Sequence, residues 1–94
     1  MRTQGFNFPA SNSERPYVQI ATDCSSLELH FRSNGSGRLV VGSDLPAATS
    51  NDFVVVRAGI EPLRLTGLAA EDKVFFQPGG TGEVCITALV VDAE

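Results

Sequence analysis

The sequence predicts an all-β domain: a small antiparallel β-sandwich (or short barrel) of about seven strands with an extended N-terminal arm. Three observations predict it. Apolar and polar residues alternate over short runs, clusters of Gly, Pro, Asn, Asp and Ser punctuate those runs, and no stretch carries the 3.6-residue periodicity of a helix. Ninety-four residues make one small domain, and a chain of that size buries only a modest core.

Residues 1–16 read as the arm and 17–94 as the sandwich. Ser11-Asn12-Ser13-Glu14-Arg15-Pro16 is turn and coil chemistry. Phe6 and Phe8, two apart and followed by Pro9, stand out in the arm. They fit an edge segment folding both rings onto its own domain, or an arm docking on a neighbouring subunit.

The first predicted strand is Tyr17–Thr22. In the second, Leu27–Arg32, Leu27, Leu29 and Phe31 share one face while Glu28, His30 and Arg32 share the other. Ser33-Asn34-Gly35-Ser36-Gly37 is a hairpin signal, because Asn-Gly readily takes the positive φ of tight β-turns. Arg38–Gly42 returns beside it. After a loop from Asp44 to Asn51 come Phe53–Arg57, then Leu63–Thr66 beyond the Ala58-Gly59-Ile60-Glu61-Pro62 turn.

Gly67–Glu71 is too short to hold a packed helix. Asp72–Gln77 is the next strand and Pro78-Gly79-Gly80-Thr81-Gly82 a glycine-rich reversal into Glu83–Val91. In this last strand Val84, Ile86, Ala88 and Val90 take one face and Cys85, Thr87, Leu89 and Val91 the other. A strand apolar on both sides is generally buried on both sides, so Phe75, Leu89 and Val91 require a cover. That cover is the chain's own arm and loops, or another subunit. Phe6, Phe8, Phe75, Leu89 and Val91 are therefore the predicted oligomer or partner contacts.

Composition excludes several functions. Charged residues are only 19% of the chain, which leaves more neutral surface than a solitary domain needs and points to buried interfaces. With a net charge of −4 and seven scattered basic residues, neither nucleic acid nor an anionic membrane surface is an expected partner. The N-terminal residues lack the apolar stretch of a secretion signal, so the expected compartment is cytoplasmic. Cys24 and Cys85 are accordingly expected as reduced thiols.

No catalytic or metal site is predicted and no cofactor is implied. His30, the only histidine, lies between Glu28 and Arg32 at a spacing suited to a surface ion cluster. Cys24 is expected in a turn next to Asp23, an acid that raises its pKa. Gly79-Gly80-Thr81-Gly82 joins two strands with no following Lys or helix, which fails the requirement for a phosphate loop. Asn34-Gly35-Ser36 matches a glycosylation sequon but reads as a turn.

Two runs, Ile60-Glu61-Pro62-Leu63-Arg64-Leu65-Thr66-Gly67-Leu68-Ala69-Ala70-Glu71-Asp72-Lys73-Val74-Phe75-Phe76-Gln77 and Gly82-Glu83-Val84-Cys85-Ile86-Thr87-Ala88-Leu89-Val90-Val91, resemble small structural proteins of tailed bacteriophage virions. The likeness lies in a strand, a Gly-Leu turn, an Asp-Lys strand, a glycine hairpin and a valine-rich final strand behind a polar arm. It implies a non-enzymatic capsid decoration (cement) protein, located in the virion after assembly in the host cytoplasm. Such a protein is a homo-oligomer, with a trimer favoured, bound to the major capsid protein or another virion protein. The alternatives are a tail or neck component, or a small receptor- or carbohydrate-binding sandwich. The absence of Trp and the presence of a single tyrosine, Tyr17, count against the last, because sugar sites stack on exposed aromatic rings.

Overall fold

The computed structural model describes residues 1–12, 15–59, 62–69 and 71–92. Among them are eight strands and no helix: β1 (Arg2–Phe8), β2 (Val18–Thr22), β3 (Cys24–Phe31), β4 (Ser36–Gly42), β5 (Val54–Arg57), β6 (Leu63–Thr66), β7 (Lys73–Pro78) and β8 (Val84–Asp92). Seven of these match the predicted runs. The additional strand is β1, which lies within the arm.

The strands form two antiparallel four-stranded sheets, ordered β1-β8-β3-β6 (sheet A) and β2-β7-β4-β5 (sheet B). They pack as an open sandwich, not a closed barrel. The pairs β1–β8, β2–β7, β3–β6 and β4–β5 are all antiparallel ladders. The chain is thus one long hairpin with its turn between β4 and β5, rolled up so that β8 also meets β3 and β7 also meets β4. This is jelly-roll connectivity.

Two of the sheet switches carry a local backbone signature. Between β2 and β3 the chain crosses from sheet B to sheet A through Asp23 alone, at φ 52°. Aspartate tolerates this left-handed backbone better than most side chains. The last crossing is the glycine-rich β7–β8 connection, with Gly80 at φ 67°; the two strands lie in different sheets and do not pair as a hairpin.

The β1–β2 connection runs against that crossing. Ser11 N–H donates to Thr81 O, and the Arg15 guanidinium donates to the carbonyls of Pro9, Gly79, Gly80 and Gly82. One rigid five-donor fork therefore ties the end of the sandwich together.

The main core lies between the sheets. Val84, Ile86, Ala88 and Val90 of β8 and Leu27 and Leu29 of β3 face Leu39, Val56, Val74 and Phe76 of sheet B. Phe76 is fully buried, with Phe8 of β1 and Phe31 of β3 at ring-centroid distances of 5.4 and 6.1 Å. Gly37 of β4 makes room for it: a Cβ there would run into the Phe76 ring and the Gln77 carbonyl.

Candidate interaction surface

The five predicted contact residues fall in three separate places. Phe6 and Phe8 pair with Ile86 and Val84 across β1–β8 and so share the inward face of sheet A. Both are half-buried against the main core of their own chain. Phe75 lies on the outer face of sheet B, and Leu89 and Val91 lie on the outer face of sheet A, at the opposite side of the sandwich.

The two outer faces differ in cover. On sheet B, Phe75 is 2% exposed and forms a second small core with Tyr17 and Val40, against which Phe53 packs. Two segments roof it: the end of the β1–β2 connection and the β4–β5 loop. The Gln77 amide stitches them together, Nε2 donating to Arg15 O at 2.7 Å and Ala48 O at 3.1 Å. Arg38 stacks over the Phe53 ring at 4.4 Å. The cover that Phe75 requires is thus the chain itself.

Tyr17 belongs to this roof. It is buried, and its hydroxyl has no hydrogen-bond partner among the described residues. Burial raises its pKa, with Arg38 pulling weakly the other way. The sole tyrosine of the chain is therefore not presented as a stacking platform.

On sheet A the outward residues of the two central strands, Cys85, Thr87, Leu89, Val91, Ser26, Glu28 and His30, are all half-buried. Leu89 and Val91 border a shallow groove of about 210 Å³ that also meets Met1, Leu65 and Thr66. Met1 is 82% exposed beside it.

An ion cluster flanks the groove. Glu28 accepts a hydrogen bond from Arg64 Nε at 2.7 Å and contacts His30 Nε2 at 2.6 Å. The Arg64 hydrogen bond is the main cause that holds the Glu28 carboxyl below its ordinary range, partial desolvation opposes it, and His30 adds to it. The predicted partner Arg32 is absent from the cluster. Arg32 reaches β1 instead, donating to Phe6 O, the Asn7 side chain and Ile86 O. The i±2 spacing placed Arg32 on the correct face, but the β3–β6 register brings Arg64 directly opposite Glu28.

Cys24 starts strand β3 and is wholly buried, where sequence reading expects a turn. Its pKa is raised first by burial, with Asp92, Asp23 and Asp72 adding to it and Arg2 opposing. Both cysteines are free thiols. The glycine-rich reversal presents carbonyl oxygens to Arg15, the polarity opposite to the N–H donors that cradle phosphate. Among the described residues no group of three or more His, Cys, Asp or Glu is placed to hold a metal ion.

Sequence reading missed one feature outright. Among the described residues, the edge strands β5 and β6 border a cleft of about 380 Å³ lined by Leu29, Phe31, Val56 and Leu63, with His30 and Arg57 also bordering it. No local signal marks it, because it arises where strands from different sheets fail to meet. Comparisons with protein-family models, with curated proteins and with solved structures find no match to this chain.

Proposed function

We propose that this chain is a non-enzymatic virion structural protein, a decoration protein that stabilises an assembled shell by binding as an oligomer at many equivalent sites. Binding of that kind acts by mass action on the assembled state, and repetition supplies avidity. The reading rests on the resemblance of residues 60–77 and 82–91 to phage virion proteins. It also draws support from architecture, since jelly-roll sandwiches recur in viral capsid and lectin domains; this is an analogy of fold and carries no site by itself.

The observation that carries the reading furthest is the asymmetry of the outer faces. The chain roofs Phe75 of sheet B with its own segments, whereas on the sheet A side Leu89 and Val91 are only half-buried, beside a groove that the exposed Met1 also borders. A contact surface on the shell protein would complete that face, with Glu28, His30 and Arg64 at its polar rim. The carbohydrate-binding alternative loses its aromatic platform with Tyr17 buried.

Co-sedimentation with shells assembled from the major capsid protein of the same virion tests the proposal. Wild-type chain pellets with the shells at a saturating stoichiometry. A Leu89→Lys, Val91→Glu double variant that melts like wild type stays in the supernatant. Wild-type chain left in the supernatant, or a double variant that pellets equally well, sinks the reading.

A further inference from the structure

The four sheet edges are not equally guarded. Unpaired edges are templates for strand addition, and charge, proline and bulges ordinarily discourage it. Edge β1 carries Arg2, Gln4 and Asn7, with Arg2 paired to Asp92. Edge β2 follows Pro16 and is bulged between Gln19 and Ala21. Edge β6 follows Pro62 and carries Arg64, which is held by Glu28.

Edge β5 is the least guarded: its one charge, Arg57, stands at the end of the strand, and neither a proline nor a bulge interrupts it. It reads Val54-Val55-Val56 before Arg57, runs in unbroken register with β4, and leaves Val54 and Val55 53% and 65% exposed. Beside it opens the cleft lined by Leu29, Phe31, Val56 and Leu63.

We propose that β5 pairs antiparallel with β5 of a second copy, about a two-fold axis passing at Val55. The occupant follows from the register. A two-fold axis normal to the sheet keeps inner faces with inner faces, so only alternate registers are allowed.

With Val55 on the axis it meets its own mate on the outer face. Val54 lies opposite Val56 of the second copy, and Phe53 lies opposite Arg57, an aromatic–cation pair. No like charges face each other. The neighbouring registers are worse: centring on Val54 sets the Asp52 carboxylate against Val56, and centring on Val56 sets Arg57 against Val55.

The same pairing accounts for the cleft. Val54 of the second copy lies next to Val56, one of the residues lining it, and so caps its mouth with an apolar side chain. Sheet B then runs continuously through eight strands, four from each copy.

An isologous pair of this kind closes at two copies, in contrast to the trimer implied by the virion resemblance. The inference comes from the edge alone and does not rest on the proposed virion role. Because the strand has only four residues, the interface falls below the roughly 1,200 Å² of a stable complex, and the dimer is reversible.

Analytical ultracentrifugation of the whole chain over a concentration series tests it. The wild-type mass rises with concentration from the 10.0 kDa monomer toward twice that value. Val55→Lys places like charges on the axis and raises the dissociation constant about tenfold or more. Val18→Lys, on the opposite edge of the same sheet, dimerises like wild type. A Val55→Cys variant cross-links to a covalent dimer on mild oxidation, and a Val18→Cys variant does not. A wild-type mass that stays monomeric, a mass that climbs to three copies, or dimerisation unaffected by Val55→Lys overturns the proposal. Far-UV circular dichroism and thermal melting of each variant separate loss of pairing from loss of fold.

Discussion

Single residues hold the most demanding contacts of this sandwich. Gly37 is the clearest, since its missing side chain is the space that the Phe76 ring occupies. Gly37→Ala forces that ring or the β4 backbone to move in a close-packed core, a change that typically costs about 1–3 kcal/mol. The expected result is a lower denaturant midpoint at unchanged slope. A midpoint equal to wild type would show that Phe76 repacks freely.

Glu28 supplies a second prediction at this scale. Its folded-state pKa is depressed, chiefly by the hydrogen bond from Arg64. A depressed carboxyl contributes stability that is present above its unfolded pKa and is lost as pH falls through the folded value. The thermal midpoint of Glu28→Gln should therefore lie below wild type near neutral pH and converge on it between about pH 5 and pH 3. An NMR titration should place the Glu28 carboxyl below its ordinary 4.5 and move it upward in Arg64→Ala.

At the scale of elements, β1 shows both what the sequence discloses and what it withholds. The seven predicted strands were legible because each carries its own alternation and its own bounding turns. Arg2–Phe8 lacks that pattern: its inward positions are Arg2, Gln4, Phe6 and Phe8, so only half of them are apolar. The strand exists because β8 offers it an open edge, and no local window contains that information.

The same limit applies to Phe75, Leu89 and Val91. Alternation marks each as an apolar residue on its strand's second face, and for Phe75 the chain itself supplies the cover, but alternation cannot say that β7 and β8 belong to different sheets. The two outer faces then lie on opposite sides of the molecule. Likewise the β5–β6 cleft and the Arg64 contact to Glu28 depend on register between distant segments.

The weight that β1 carries can be measured. Phe8 is half-buried, packs on Phe76 and sits opposite Val84. Full truncation of a buried Phe costs about 3–5 kcal/mol, so Phe8→Ala at a partly exposed site should cost about 2 kcal/mol. The Thr3→Ala change, on the outward face of the same strand, should stay within about 0.5 kcal/mol. Equal losses from the two would mean that β1 contributes by backbone pairing alone.

For the molecule as a whole, the rolled hairpin sets the order in which structure is gained and lost. Strands β8, β3, β7 and β4 are paired on both sides, whereas β1, β6, β2 and β5 are paired on one. The outermost ladder joins Arg2 to Val90, almost the full length of the chain, so loop-closure entropy must be met before that ladder returns any stability. Topologies dominated by such non-local pairs fold on timescales of about milliseconds to seconds, slower than helical domains of equal size. Refolding followed by tyrosine and phenylalanine absorbance should fall in that range. Native-state hydrogen exchange should then find the slowest amides in Val84–Val90 and Val74–Gln77 and the fastest strand amides in β1 and β5. If β5 pairs with a second copy, its amides alone among the edge strands should slow as protein concentration rises, while those of β1 stay unchanged. Protection of β5 that is independent of concentration, or β1 exchanging as slowly as β8, would be incompatible with this hierarchy of central and edge strands.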